Sequence, residues 1–310
     1  MSQGVPRAAI MEQRSAKVFG GRNALIVREE LRFLGLRSYP RCVHPNFEPF
    51  DPVELAFETE KIVCRDDARK YADFYGTGVY GGIATGYAVG CCLRCVFCWV
   101  DWSRDYPERF GQYYSPDDTF RMLRAAAQRA GVKKLRISGA EPTIGKSHLL
   151  ALLERVEASE FGSFVLETNG ILFGVDKDYV RALARFEKPH IRVSLKAGTP
   201  EAFTKKTGAN PESFELPFRA VENLLDCEVN FHVAAMSADP RIIAPEERRR
   251  LIERLAEIDL GLALNLEEEV VDPYKTTLAR LRYAGLHLEW PLKKIYAPAL
   301  TKSKEKTRAT

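Results

Sequence analysis

Seven cysteines stand at positions 42, 64, 91, 92, 95, 98 and 227, and four of them crowd into the eight residues from Cys91 to Cys98. A secreted disulfide scaffold is normally shorter and spreads its cysteines, so metal ligation accounts better for this crowding. Within GCCLRCVFCW, Cys91, Cys95 and Cys98 form a CxxxCxxC arrangement. Three thiolates on a tight loop can hold three irons of a cubane cluster and leave the fourth without a protein ligand. Such an open iron can bind a small molecule directly, as the open position of a catalytic zinc does. Cys92, Cys95 and Cys98 form a shorter-spaced alternative set. Buried free cysteine is common for single residues but does not explain four together. Structural zinc is the main competitor. It normally takes four protein ligands, however, and Cys42, Cys64 and Cys227 are isolated, although His44 lies near Cys42.

CxxxCxxC with an aromatic residue, here Phe97, before the third cysteine resembles the signature of the radical S-adenosylmethionine (SAM) superfamily. The chain looks most like the branch holding pyruvate formate-lyase activating enzyme and the molybdenum cofactor enzyme MoaA. The longer spacing is the family pattern, so the resemblance selects Cys91 over Cys92. It implies one [4Fe-4S] cluster whose fourth iron is chelated by the amino and carboxylate groups of SAM. An electron, supplied by reduced flavodoxin or ferredoxin, then cleaves SAM to methionine and a 5'-deoxyadenosyl radical that abstracts hydrogen from a substrate. The resemblance runs from about Val79 to Val270.

Further motifs match at later positions. Gly139, Ala140, Glu141 and Pro142 stand where the family has GGEP, with Ala140 replacing the second glycine. Backbone carbonyls and the Glu141 carboxylate there suit an ammonium group. ETNG brings Thr168 and Asn169 to a second strand end, placed to hydrogen-bond ribose or carboxylate oxygens, although Asn-Gly alone is also a common turn. In RVSLK, alternation puts Arg192, Ser194 and Lys196 on one face as an anion-binding wall. Lys196 is expected at the methionine carboxylate of SAM, and Ser194 replaces the aspartate of activating enzymes. His232 and Asn265, on two later strands, are further candidate pocket residues, and Glu267 is expected to reach a cationic ligand or solvent.

The elements that must position these residues follow one cadence. GVYGGIATGYAVG at 78–90 reads as a first strand that feeds the cysteine loop. SPDD at 115–118 caps a helix that Gly131 ends. KKLRIS, FVLET, IRVSL and VNFHVAAM read as strands, and LGLALNL from Leu260 as a sixth. Helices are expected through LLALLERV, over 179–186, over 214–225 starting near Pro217, after a strong cap at Pro245, and over 274–283. Such lengths demand crossovers and a parallel sheet. The expected fold is α/β, a partial (β/α)6 barrel of radical SAM type with an irregular or helical N-terminal extension, or else an open doubly wound sheet. Both place loop chemistry at the C-terminal strand ends. The expected divisions are an N-terminal extension over 1–77, the core over 78–290 and a tail over 291–310. Within the extension, 23–36 reads as a helix and 40–52 as proline-rich irregular chain.

The 310 residues are 45% hydrophobic and 28% charged, the composition of an ordinary globular protein. No apolar run approaches the roughly 18 to 20 residues that would span a bilayer, and no signal peptide is evident, so the cytoplasm is the expected location, without membrane association. The net charge of +4 lies largely in the 301–308 tail. It permits nucleic-acid binding without indicating it, and Lys205, Lys206, Lys293 and Lys294 are the only local basic pairs. The substrate is an unidentified small molecule or protein. The alternatives are a nucleic-acid-modifying radical SAM enzyme and a non-catalytic iron–sulfur or zinc protein.

Overall fold

The computed structural model describes residues 39–291, so the helix expected over 23–36, Lys293, Lys294 and the basic tail lie outside the described residues. Residues 40–51 are irregular chain, as expected, up to the first helix, α1 (Pro52–Val63). Asp51 starts that helix by accepting from the amides of Val53 (2.7 Å) and Glu54 (3.4 Å), with Pro52 in the first turn where no donor is needed. Strands β1 (Cys64–Arg65), β2 (Ala68–Thr77) and β3 (Ile83–Ala88) follow, with β2 antiparallel to β1 and to β3. The ten-residue β2 lies in the segment expected to be irregular or helical, so the sheet begins upstream of residue 78.

After the cysteine loop, β4 (Gln112–Tyr114) pairs with β2. Helix α2 (Pro116–Ala130) is capped by Ser115, whose hydroxyl accepts from Asp118 N, and ends at Gly131 in the left-handed conformation. The chain then alternates through β5 (Lys134–Gly139), α3 (Lys146–Glu157), β6 (Ser163–Thr168), α4 (Ile171–Val175), α5 (Lys177–Leu183) and β7 (Pro189–Leu195). It continues through α6 (Pro200–Thr207), α7 (Leu216–Asp226), β8 (Phe231–Ala235), α8 (Pro245–Ile258), α9 (Leu260–Leu264), β9 (Glu267–Glu268) and α10 (Lys275–Tyr283). In the sheet β3, β5, β6, β7, β8 and β9 are neighbours in chain order and all parallel. The hydrogen-bonded path is open, running from β1 to β9 without returning.

Two expectations are corrected. The run from Leu260 is helix α9: Asp259 caps it by accepting from Gly261 N (2.7 Å), and Leu260 and Leu264 are exposed. A short apolar run is ambiguous between strand and helix, and here the capping aspartate decides, moving the last strand to Glu267–Glu268. Helix α8 has no side-chain cap at Ala244. Glu246 and Glu247 in its first turn complement the helix dipole instead.

The two faces of the parallel sheet differ. Leu135, Ile137, Phe164, Leu166, Ile191 and Val193 are buried in the apolar core, whereas their neighbours Arg136, Ser138, Glu167, Arg192 and Ser194 share the other face by register. The core is reinforced by His148. Its Nδ1 lies 2.7 Å from the Asp67 carbonyl and must donate, leaving Nε2 to accept from the Tyr71 hydroxyl at 3.0 Å. Burial lowers its pKa from 6.5 to about 4. The neutral ring therefore stabilises the fold fully above pH 6.5, and this contribution is lost as pH falls toward 4, because the unfolded chain takes up the proton first. We expect a loss on the order of 3 kcal/mol across that window, flattened in His148→Gln; parallel pH profiles of urea unfolding for the two chains would exclude it.

Candidate functional site

Strand β3 delivers the chain into the cysteine loop, and the turn after β5 packs against its start. Ala140 N donates to Ala88 O (3.2 Å) and Glu141 N to Gly90 O (2.9 Å). Gly139 adopts φ +99°, and a Cβ there would lie 3.0 Å from Ala88 O, so glycine is required. Ala140 is not among the residues with positive φ, and its methyl is accommodated without strain. The far side of the loop is held by α6, whose last carbonyls, Lys206 O and Thr207 O, accept from Val96 N and Arg94 N, both at 2.8 Å.

The Cys95 thiol lies within electrostatic reach of both Cys91 and Cys98. Cys95 is pushed up to about 12, chiefly by burial and further by Cys98 and Cys91, against the lowering pull of the Lys196 ammonium. Cys91 is lowered to about 7, chiefly because the Cys92 thiol donates to it, while burial holds Cys92 well above its usual value. Asn169 Nδ2 donates to Cys92 Sγ at 3.2 Å and lies 3.7 Å from Cys91 Sγ. Among the described residues no three His, Cys, Asp or Glu side chains close around a metal-sized space. The donor chemistry, three soft sulfurs on one loop beside a lysine, nevertheless fits a thiolate-held iron–sulfur cluster. The other cysteines lie elsewhere, Cys42 against Asp105 and Cys64 against Arg69.

Glu141 is 2% exposed, and its carboxylate is engaged by the chain itself. Oε1 accepts from Thr143 N (3.2 Å), Thr143 Oγ1 (2.7 Å) and Thr168 Oγ1 (2.7 Å), and Oε2 from Asn169 N (2.8 Å). Glu141, expected at an ammonium group, and Thr168, expected at ribose or carboxylate oxygens, bond each other here. They clamp the ends of β5 and β6 together, and Thr168 Oγ1 also accepts from Gly170 N. Asn169 is likewise used, its Oδ1 accepting from Ile171 N (3.0 Å), so it reaches the loop through Nδ2 alone.

Of the residues expected to form an anion-binding wall, Arg192 is engaged within the sheet. Arg192 is bidentate to Glu267 (2.9 and 3.0 Å) and bonded to Glu269 (2.7 Å), so its charge is spent within the sheet. His232 stacks on His190, with His190 Nε2 2.6 Å from its Nδ1, and bonds Glu267 Oε2 at 2.9 Å. It lies near the start of β8, away from the strand end. His232, followed by Arg192, holds Glu267 down to about 2. Asn265 is not brought to the site: it is exposed and its Nδ2 donates to Gly261 O of its own helix. Lys196 remains at the strand end, donating to Ser194 Oγ at 2.6 Å. Lys206 is buried against Glu247 and forms no basic surface.

Sequence reasoning missed the rest of the polar face. Glu167 accepts from Tyr80 OH (2.8 Å), Arg136 Nη1 (2.9 Å) and the Ser138 hydroxyl, and Arg136 Nε donates to Thr85 Oγ1 (3.0 Å). The alternation that singled out Arg192 and Ser194 is equally present in KKLRIS and FVLET and would have found Arg136, Ser138 and Glu167. Also missed were Arg94, Arg104 and Arg280, which bind carbonyls of the cysteine loop.

A profile of the Radical SAM superfamily matches residues 87–236. Curated relatives include the probable GTP 3',8-cyclase of Methanococcus vannielii, 27% identical over 146 residues and covering 46% of each chain. The GTP 3',8-cyclase of Geobacter sulfurreducens is 34% identical over 119 residues, 37% of this chain and 35% of that protein. The chain thus matches less than half the length of these relatives. Similar solved structures include Streptococcus suis SuiB bound to S-adenosylmethionine (20% identity, TM-score 0.45, 66% of this chain and 42% of that one). Another is TYW1 with a lysine-pyruvate adduct bound (16% identity, TM-score 0.44, 65% of this chain and 72% of that one).

Proposed function

We propose that this protein, whose residues 87–236 match the Radical SAM superfamily profile, is a radical SAM enzyme that reductively cleaves SAM at a [4Fe-4S] cluster held by Cys91, Cys95 and Cys98. The observation that supports this reading is one loop carrying three cysteines, with Cys95 in electrostatic reach of Cys91, Cys98 and Lys196, the GAEP turn hydrogen-bonded at the loop's start, and Asn169 Nδ2 3.7 Å from Cys91 Sγ. The cluster, reduced by a flavodoxin or ferredoxin, would supply the electron that yields a 5'-deoxyadenosyl radical for hydrogen abstraction from a substrate.

The chain's own residues divide the remaining work. With the Glu141 carboxylate engaged, the backbone carbonyls of Gly139 and Ala140 are left as acceptors for the SAM ammonium. Lys196 is the cation for the SAM carboxylate, and Ser194 orients it. The polar face of the sheet, from Tyr80 and Glu167 to Arg192 and Glu269, offers paired charges and hydroxyls to a polar substrate. GTP is the first substrate to supply, because the curated relatives named above are GTP 3',8-cyclases. The nucleic-acid reading loses one of its basic pairs with Lys206.

The deciding assay is anaerobic reconstitution, dithionite reduction with SAM, and quantification of 5'-deoxyadenosine and methionine by mass spectrometry. Both products are expected. An intact, reducible cluster that neither binds nor cleaves SAM would move the protein to the non-catalytic class. Lys196→Ala is expected to keep full cluster iron while weakening SAM binding by about tenfold, the loss of one charge-assisted contact of about 1.5 kcal/mol or more. Equal SAM affinity by calorimetry would remove Lys196 from the site.

A further inference from the structure

Each of the three cysteines has its main-chain carbonyl bound by a different buried guanidinium. Arg94 Nη1 donates to Cys91 O at 2.7 Å and to Leu93 O at 2.9 Å. Arg104 Nη1 donates to Cys95 O at 2.7 Å. Arg280 Nη1 donates to Cys98 O at 2.8 Å and to Val100 O, and its Nη2 donates to Asp101 O at 2.9 Å. Their relative exposures are 1%, 1% and 2%. The three reach the loop from different parts of the chain: Arg94 lies between the first two cysteines, Arg104 beyond the third, and Arg280 on α10.

Among the described residues the ion pairs made to this set supply one negative charge against three positive ones. Asp105 forms ion pairs with Arg104 and Arg280, and it is the only carboxylate shown paired with any of the three among the described residues. Arg94 reaches the Pro40 carbonyl through Nε (2.6 Å) and lies over the Tyr39 ring, and neither partner carries a negative charge. A buried cation without a counter-charge carries a desolvation penalty of several kcal/mol, so retaining three around one loop requires an anion close by. A four-iron core on three thiolates is net anionic and gains a further negative charge on reduction.

We propose that Arg94, Arg104 and Arg280 are positioning residues that form a cationic cradle for the cluster, fixing the three cysteine carbonyls and raising the cluster's reduction potential. Their common feature, one guanidinium per ligand carbonyl, sets them apart from arginines that merely brace a fold. The proposal rests on the cluster reading above.

The test compares the reconstituted full-length wild type with Arg280→Gln and Arg280→Lys by EPR-monitored redox titration, alongside cluster iron content. Surface Arg249→Gln on α8 serves as the control. Arg280→Gln is expected to shift the midpoint potential to more negative values, because a positive charge that favours the reduced cluster is gone. Arg280→Lys should move it less, since the charge stays while the fork is lost, and Arg249→Gln should not move it. Arg104→Gln, read in the same way, replaces Arg280→Gln if that chain does not fold. Neutral variants that hold full iron at the wild-type potential would overturn the cradle. A folded wild type that takes up no cluster would overturn the cluster reading, and the cradle with it.

Discussion

Cys95→Ala is expected to abolish cluster iron after anaerobic reconstitution, and with it all 5'-deoxyadenosine formation, whereas Cys92→Ala retains both. The contrast follows from the loop. Cys95 feels Lys196, Cys98 and Cys91 together, and the peptide that follows it is held at both polar atoms, its carbonyl by Arg104 and its Val96 amide by α6. Two thiolates do not retain a cubane that three hold, so loss of one ligand acts on the whole cluster. Cys92, fully buried, donates to Cys91 and receives the Asn169 amide, which makes it a neighbour that orients the first ligand. Iron and acid-labile sulfide assays with the characteristic visible absorption would read the result. Loss of the cluster in Cys92→Ala with retention in Cys91→Ala would transfer the ligand role to Cys92.

The parts of this molecule that were legible in the sequence are those governed by local pattern. Ser115 and Gly131 bracket α2 through capping, Pro217 falls in the first turn of α7, and the buried runs of β5 to β8 stand between amphipathic helices. The cysteine loop and the turns at 139–142 and 168–170 were legible because their chemistry is carried by close spacing. Strand β2 was not, since an antiparallel strand in a polar, aromatic segment has none of the continuous apolar character of its parallel neighbours.

Partnership was also hidden. Whether Arg192 faces a ligand or is neutralised depends on Glu267, 75 residues away, and nothing near Arg192 in the sequence announces that pairing. Glu141 is a similar case. Its motif was visible, but the hydroxyls of Thr143 and Thr168 that occupy its carboxylate become neighbours only when the ends of β5 and β6 are brought together. Residue type and spacing locate the strand ends, while free charge is decided by tertiary contacts.

Asp105 illustrates that rule at its largest, since removing it is expected to be the most destabilising single change outside the apolar core. Its side chain is wholly buried between the buried guanidiniums of Arg104 and Arg280, and Arg104 Nε donates to Oδ1 at 3.0 Å. Burial alone would raise its pKa, but Arg104 and then Arg280 outweigh burial and hold it below the usual carboxylate value. Asp105→Ala leaves two buried guanidiniums without a counter-charge, and breaking a buried pair from one side costs about 3 to 5 kcal/mol. Asp105→Asn keeps the oxygen acceptor and the volume, so it should cost less. Urea unfolding of the metal-free chain measures both variants without interference from cluster loading. Because the same guanidiniums hold the carbonyls of Cys95 and Cys98, the Ala variant should also lose cluster iron, even though no ligand has been changed. A wild-type urea midpoint in Asp105→Ala would mean that solvent reaches this triad and that the cysteine loop is held by its backbone contacts with α6 and the GAEP turn.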